Sequence, residues 1–197
     1  MAGSSTARAQ ARFYYDFASP DAYLAAERVM HVLPEVPEWV PVRLAGLAAG
    51  GVGAFRCAEE IAAYREDVER AARAQGVQAL VWPDPFPSDS EWAMLVATYA
   101  KQIGRAVAFS LAAFRQAFAA GRDLSERDNV LIAAAACEMH PVALTKGAEL
   151  GSIRTRLDEA TARAAAEGVL DVPAIVTPAG DVFHGDRELE KAAAATA

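Results

Sequence analysis

The fold of this chain is decided by a short stretch that passes from aromatic residues into a helix start, Arg12-Phe13-Tyr14-Tyr15-Asp16-Phe17-Ala18-Ser19-Pro20-Asp21. Residues 12–17 contain no Gly or Pro, and such an aromatic-rich run favours a buried strand. Ser19 then occupies the N-cap position of a helix, with Pro20 in its first position and Asp21 in its first turn. The stretch therefore predicts a strand, a tight turn and a helix in immediate succession.

A second extended segment covers residues 38–44 and follows a Pro-bounded turn at 34–37. Its apolar and polar positions alternate, and it contains Pro41, which is tolerated in a half-exposed or edge strand. Two such strands joined by a helix form a β-α-β unit. We therefore expect the strands at 12–17 and 38–44 to be parallel.

The middle of the chain has helical periodicity, and the end returns to strands. A Gly-rich loop at 46–53 and a Pro-rich loop at 82–87 interrupt the middle, and Gly76 is placed to end a helix. Helices are predicted at 59–75, 91–103, 107–120, 126–138 and about 145–167. The final segment predicts a strand at 172–177, a turn at 178–181, a short strand at 182–184 and a helix at 186–194.

This order of elements predicts an α/β protein, a thioredoxin-like fold with a large all-helical insertion. We assign residues 12–47 and 168–197 to the thioredoxin-like domain and residues 48–167 to the insertion, whose last helix packs back on that domain. Residues 1–11 are expected to form a disordered tail.

Charge and cysteine content limit the possible partners. The chain has 19 Lys and Arg against 26 Asp and Glu, a formal charge of −7, and its basic residues are not clustered, so neither nucleic acid nor an anionic membrane surface is an expected partner. No apolar run approaches the ~20 residues of a membrane span. Cys57 and Cys137 belong to no disulfide or metal-ligand pattern. Together with a start that lacks a secretion signal, this predicts a soluble cytoplasmic protein without a metal site.

The turn after the first strand is where thioredoxin-like redox enzymes place Cys-Pro-x-Cys, and here it reads Ser19-Pro20-Asp21-Ala22. Without sulfur, exchange through an internal dithiol is excluded. The turn retains a helix N-terminus, which favours an anion, and the Ser19 hydroxyl could donate to a thiolate supplied by a cofactor. The alternative is that Ser19 only caps its helix, a role worth ~1 kcal/mol.

Two later segments could complete a ligand site. Pro173 is expected to be cis and to face the turn, leaving the backbone of Val172 to pair with an extended peptide-like ligand; the alternative is a trans proline that opens a strand. Asp186 could cap the last helix or pair with a ligand ammonium, and the turn at Gly185 could receive a ligand carboxylate. His184 is either a proton carrier or a surface residue.

These segments resemble one family. Residues 13–25, Phe-Tyr-Tyr-Asp-Phe-Ala-Ser-Pro-Asp-Ala-Tyr-Leu-Ala, resemble the F-Y-x-D-F-x-S-P-Y-x-Y-L-A opening of 2-hydroxychromene-2-carboxylate isomerases and kappa-class glutathione transferases, the serine branch of the DsbA-like thioredoxin superfamily. Residues 168–176 are similar to the G-V-x-G-V-P-T-F-V segment of that family, and residues 183–187 to its F-G-x-D-R. The helix at 64–70 and the proline loop also match.

The resemblance implies a role for each site residue. Ser19 would be the catalytic residue that hydrogen-bonds the glutathione sulfur and stabilises its thiolate. Val172 would bind the cysteinyl backbone across cis-Pro173, and Asp186, with Gly185 beside it, would hold the γ-glutamyl ammonium. In the isomerases the thiolate adds to the conjugated substrate and makes a double bond single, so that rotation and elimination complete the isomerisation.

The implied function is therefore a cis-trans isomerase of 2-hydroxychromene-2-carboxylate type that depends on glutathione or another low-molecular-weight thiol. Its substrate would be small, aromatic and conjugated, and the protein a homodimer. A kappa-like glutathione transferase is one alternative. A non-catalytic DsbA-like binding protein is another, because the family's N-x-P-P segment is missing and Asp21 would raise the pKa of a bound thiol. A redox or chaperone role for Cys57 or Cys137 is a third, although both are expected to be buried and inert.

Overall fold

The structure is a computed structural model, and it describes residues 10–48 and 57–196. Four strands form one sheet, β1 (Arg12–Tyr15), β2 (Glu38–Pro41), β3 (Ala174–Val176) and β4 (Val182–His184). In the described ranges, eight helices accompany them: α1 (Pro20–Val32), α2 (Ala58–Gln75), α3 (Glu91–Gln102), α4 (Ala106–Phe118), α5 (Arg127–Ala135), α6 (Pro141–Ala148), α7 (Gly151–Ala166) and α8 (Leu189–Thr196). Short 3-10 helices cover Leu44–Gly46 and Asp186–Glu188.

The strand order in the sheet is β2-β1-β3-β4. The predicted parallel pairing of β1 with β2 is confirmed, and it aligns Phe13 with Trp39. On its other side β1 pairs antiparallel with β3, which places Ile175 beside Phe13, and β3 pairs antiparallel with β4. Helices α2 to α7 all lie between β2 and β3 in the chain. The architecture is thus the predicted thioredoxin-like fold with a large helical insertion.

Alternate side chains of β1 point to opposite faces of the sheet, and both faces are buried at this strand. Phe13 and Tyr15 face a core that includes α1, α3 and α4, while Tyr14 faces a second core that includes Ala164 of α7. The Tyr14 hydroxyl donates to Glu167 Oε2 at 2.7 Å, at the end of α7. This contact joins the last helix of the insertion to the central strand.

The structure differs from the predicted elements in several places. The predicted helix at 186–194 begins as the 3-10 turn Asp186–Glu188 and continues as α8. The predicted helix at about 145–167 is two helices, α6 and α7, with a break at Leu150 (φ −63°, ψ 133°) immediately before Gly151, a poor helix former. The predicted strand at 38–44 ends at Pro41. Beyond it, the backbone N–H of Leu44 donates to the Asp16 carboxylate and starts a 3-10 turn.

The prediction that both cysteines are buried is correct for Cys137 and wrong for Cys57. Cys137 is buried, and this burial raises the pKa of its thiol, but Cys57 is exposed. Most of the predicted tail at 1–11 and of the Gly-rich loop at 46–53 lies outside the described residues. No helix in the described part of the chain has the length and apolar character that a membrane span requires.

Candidate functional site

A buried carboxylate holds the turn that contains Ser19. Asp16 accepts hydrogen bonds from the backbone N–H of Ala18 (2.9 Å) and of Leu44 (2.8 Å) and from the Ser90 hydroxyl (2.5 Å). The Ser19 N–H also donates to the Asp16 carbonyl at 3.1 Å. Burial raises the pKa of the Asp16 carboxyl, while the three hydrogen bonds act in the opposite direction. The turn is therefore tied to β1, to the 3-10 turn after β2 and to the start of α3.

Ser19 is the N-cap of α1, as predicted. Its Oγ accepts a hydrogen bond from the Ala22 N–H at 3.1 Å and donates to the Val172 carbonyl at 3.2 Å. Only 2% of the Ser19 surface is exposed. A ligand atom that uses the Ser19 hydroxyl as a donor must therefore replace the Val172 carbonyl as its acceptor.

The segment opposite this turn contains Val172-Pro173, and the peptide bond between them is cis, as expected. The Val172 N–H donates to Oδ1 of Asp171 at 2.8 Å. Because the Val172 carbonyl accepts a hydrogen bond from Ser19, both polar groups of the Val172 backbone have partners within the chain. A peptide-like ligand would exchange these bonds for its own.

Gly185 and Asp186 follow β4 and lie beside Val172 and Pro173. Gly185 has φ 84° and ψ 158°, a conformation that is essentially restricted to glycine, and its N–H donates to the Pro173 carbonyl at 2.8 Å. Asp186 is 4% exposed and accepts a hydrogen bond from the Gln75 side-chain amide. The capping role considered for Asp186 is not observed, because Gly185 holds the cap position and Asp186 begins the 3-10 turn.

His184 has a structural partner. Its Nε2 accepts a hydrogen bond from the Leu170 N–H at 3.0 Å. The contact ties β4 to the loop that precedes Val172.

An open cleft of about 410 Å³ lies beside these residues and is lined by Asp21, Asp171, Val172, Pro173, His184, Gly185, Asp186, Arg187 and Glu188. Its lining includes every predicted cofactor-binding residue except Ser19, whose hydroxyl donates to the carbonyl of the lining residue Val172. A second groove, of about 400 Å³, is lined by β2, α3 and α7 and contains none of the predicted site residues. The structure therefore brings the predicted residues together at one place, at the N-terminus of α1.

Three residues whose side chains hydrogen-bond to cleft residues were not identified from the sequence, namely Tyr64, Gln75 and Asp171. The Tyr64 hydroxyl donates to Asp21 Oδ2 at 2.5 Å, and Gln75 reaches Asp186 from the same helix, α2. Both lie on the side of α2 that contains its buried residue Val68, so the apolar face of the predicted helix was the available signal. Nothing in that pattern indicates which carboxylates they contact.

The carboxylates of the cleft affect one another. Burial raises the pKa of Asp21 to about 6; the hydrogen bond from Tyr64 opposes the shift, and the charges of Asp186 and Asp171 add to it. Burial also raises the pKa of Asp171. The site thus combines the positive end of a helix and a hydroxyl donor with several carboxylates, which suits a ligand that has both a thiolate and an ammonium.

Comparison with known proteins agrees with this fold. Residues 10–197 match the family model described as the DsbA-like thioredoxin domain. None of the curated protein sequences matches the chain significantly.

Similar solved structures show the same fold. A 2-hydroxychromene-2-carboxylate isomerase superposes with a TM-score of 0.81 at 20% identity, over 94% of this chain and 93% of that one. A probable DsbA oxidoreductase from Streptomyces coelicolor has a TM-score of 0.74 at 19% identity, over 94% and 87% of the two chains. The cytosolic disulfide reductase DsbM from Pseudomonas aeruginosa, solved with GSH, has a TM-score of 0.60 at 15% identity, over 92% and 93%. At these identities the likeness establishes the fold.

Proposed function

This chain belongs to the DsbA-like thioredoxin family, and we propose that it is an enzyme in which a bound low-molecular-weight thiol, glutathione or another, replaces the cysteines that its turn lacks. The observation that supports this most directly is the position of Ser19. Its hydroxyl lies at the N-terminus of α1 and 3.2 Å from the carbonyl of Val172, a cleft residue.

The residues present fit a thiol with a peptide-like backbone and an ammonium. The N-terminus of α1 favours a thiolate, and the Ser19 hydroxyl can donate to it. The backbone of Val172, beside Pro173, can pair with the ligand's extended backbone. The buried carboxylate of Asp186, next to Gly185, can hold the ammonium. A thiol bound in this way supplies the nucleophile that the chain itself does not place in the turn.

We further propose that the reaction is the cis-trans isomerisation of a small, aromatic, conjugated compound of the 2-hydroxychromene-2-carboxylate type. Support comes from the resemblance of residues 13–25 to those isomerases and from the fold shared with one of them. Transfer of the thiol to such a compound, as in kappa-class glutathione transferases, is the alternative reaction of the same site. A cytoplasmic homodimer completes the proposal, and gel filtration would test the dimer.

A non-catalytic binding protein is the second candidate, and one observation favours it. The polar groups of the Val172 backbone already have partners in Asp171 and Ser19, and Ser19 is almost fully buried. A protein that no longer binds a thiol would need such internal partners.

Calorimetry with matched ligands separates the two candidates. We would titrate the protein with glutathione and with the tripeptide in which a methyl group replaces the sulfhydryl. A second pair consists of the same two tripeptides, each with its glycine carboxyl amidated. The proposal expects tighter binding of the sulfur-containing member of at least one pair. Ser19→Ala should remove that difference, whereas Ser125→Ala, a change at an exposed serine outside the cleft, should preserve it. If no thiol binds at millimolar concentration, the thiol-dependent function is wrong.

A further inference from the structure

The second groove lies at the opposite edge of the sheet from the cleft. Strand β2 is one edge strand and lines the groove, whereas β4, the other edge strand, ends at the cleft. The volume of the groove, about 400 Å³, falls within the range of small-molecule sites in proteins. The charged residues that line it are Glu38, Lys101, Arg156, Glu159 and Arg163.

The walls of the groove are bonded to its floor. Lys101 Nζ of α3 donates to Glu38 Oε1 of β2 at 2.7 Å. The backbone N–H of Arg43, just beyond β2, donates to Thr161 Oγ1 of α7 at 2.9 Å. Both helices are thus fixed relative to the strand between them. A ligand would enter a groove that is already formed, which reduces the entropic cost of binding.

The charges that line the groove leave an excess of cations. Lys101 and Glu38 neutralise each other, but Arg156, Glu159 and Arg163 form no ion pair with any residue in 10–48 or 57–196. These three residues share one face of α7, because they are three, four and seven positions apart. Two guanidinium groups therefore face the groove with one carboxylate between them.

The positive charge acts on the floor of the groove. Burial by itself would raise the pKa of Glu38, yet this pKa is lowered by the hydrogen bond from Lys101 and by the charges of Lys101, Arg163 and Arg12. Arg163 also opposes the rise in the pKa of Tyr14 that burial causes. An acid in this groove is therefore stabilised in its ionised form, and the same field would act on the acid group of a ligand.

We propose that this groove binds a small molecule with a net negative charge, whose carboxylate or phosphate group is held by Arg163 and Arg156. The fork of N–H groups on a guanidinium matches the oxygens of either anion and can bind two of them at once. Ala160 lies between the two arginines in the lining and leaves space for the body of the ligand. The site is separate from the cleft, so its ligand would bind without displacing a thiol.

NMR titration of the labelled protein with three probes of similar shape tests the proposal. The probes are benzoate, phenyl phosphate and the neutral benzamide. We expect at least one of the anions to bind about tenfold more tightly than benzamide, because a charged acceptor forms the stronger hydrogen bonds with a guanidinium. The backbone amides that shift with that affinity should be those of Lys101, Gln102 and Arg163. The anion that binds more tightly identifies the ligand class as a carboxylate or a phosphate.

Arg163→Gln should remove the preference for the anion over benzamide. Arg163 is exposed, so the variant should keep its fold, and its amide spectrum verifies this. Arg154→Gln is the matched control on the same helix, since Arg154 pairs with Glu91 and does not line the groove. The control should retain the preference of the unmodified protein.

Three results would overturn the proposal. The first is that neither anion binds more tightly than benzamide, and the second is that the shifts are confined to cleft residues such as Val172 and Asp186. The third is that Arg163→Gln retains the preference for the anion. None of these results bears on the thiol-dependent function, which is tested separately at Ser19.

Discussion

The hydroxyl of Tyr64 donates a 2.5 Å hydrogen bond to the carboxylate of Asp21. This contact connects α2, the first described helix of the insertion, to the first turn of α1, two residues beyond Ser19. Gln75, the last residue of α2, makes a similar contact with Asp186. Helix α2 therefore reaches both sides of the cleft through polar side chains and contributes to the electrostatics of the site.

Asp21 should raise the pKa of a thiol bound near Ser19, because its negative charge opposes formation of the thiolate. We expect Asp21→Asn to lower the pKa of the bound thiol by roughly half a unit. The measurement is a pH titration of thiolate absorbance in the complex. Asp128→Asn, which removes a similar first-turn charge from α5, provides the control. A bound-thiol pKa that rises or stays constant in Asp21→Asn would show that Asp21 does not face the sulfur.

The same residue should make stability depend on pH. The folded-state pKa of Asp21 is about 6, above that of an unfolded aspartate, ~3.9. Between these two pH values the folded chain holds a proton on Asp21 that the unfolded chain has lost. The resulting contribution to the free energy of unfolding is complete below the unfolded pKa, and it disappears as the pH rises through 6.

Denaturant unfolding of the unmodified protein and of Asp21→Asn at several pH values tests this contribution. The stability of the unmodified protein relative to the variant should fall by on the order of 2 kcal/mol between about pH 4 and pH 7. A difference that is constant over this range would contradict the raised pKa.

Asp16 should be essential for the stability of the turn. Asp16→Ala leaves the N–H groups of Ala18 and Leu44 and the Ser90 hydroxyl without their acceptor, and we expect a loss of about 3 kcal/mol in the free energy of unfolding. Asp16→Asn should recover little, because the NH2 group of asparagine would face a donor. Asp67→Ala, which breaks an exposed ion pair with Arg70, should cost under about 1 kcal/mol. A similarly small cost for Asp16→Ala would show that the turn is held by other contacts.

Gly185→Ala should destabilise the protein through its backbone. A Cβ at Gly185 would contact nothing within 4 Å, so the cost arises from the conformation at φ 84° and should be about 1–3 kcal/mol. Gly151→Ala is the matched comparison, since a Cβ there also enters open space but the backbone is helical. It should be neutral or slightly stabilising. Thermal unfolding of the two variants measures the difference, and equal melting temperatures would contradict the argument.

Several parts of the fold could be predicted because their signals are local. The aromatic run at Phe13, the N-cap at Ser19 and the proline after it predict a strand, a turn and a helix without reference to the rest of the chain, and the structure has them. Gly76 likewise ends α2 in the left-handed conformation that favours glycine. The break between α6 and α7 was missed because residues 145–167 contain no proline to mark it.

The composition of the cleft depended on the tertiary structure. Tyr64 and Asp21 are 43 positions apart, and Gln75 and Asp186 are 111 apart. Whether such side chains meet depends on how α2 lies across α1 and the end of β4, and no local pattern encodes that arrangement. The pKa of Asp21 depends on it too, because burial and the neighbouring Asp171 and Asp186 arise only on folding. The order of residues along the chain therefore determined that the turn has no sulfur and ends in a capped helix, while three-dimensional packing decided that this turn lies beside a cleft rich in carboxylates.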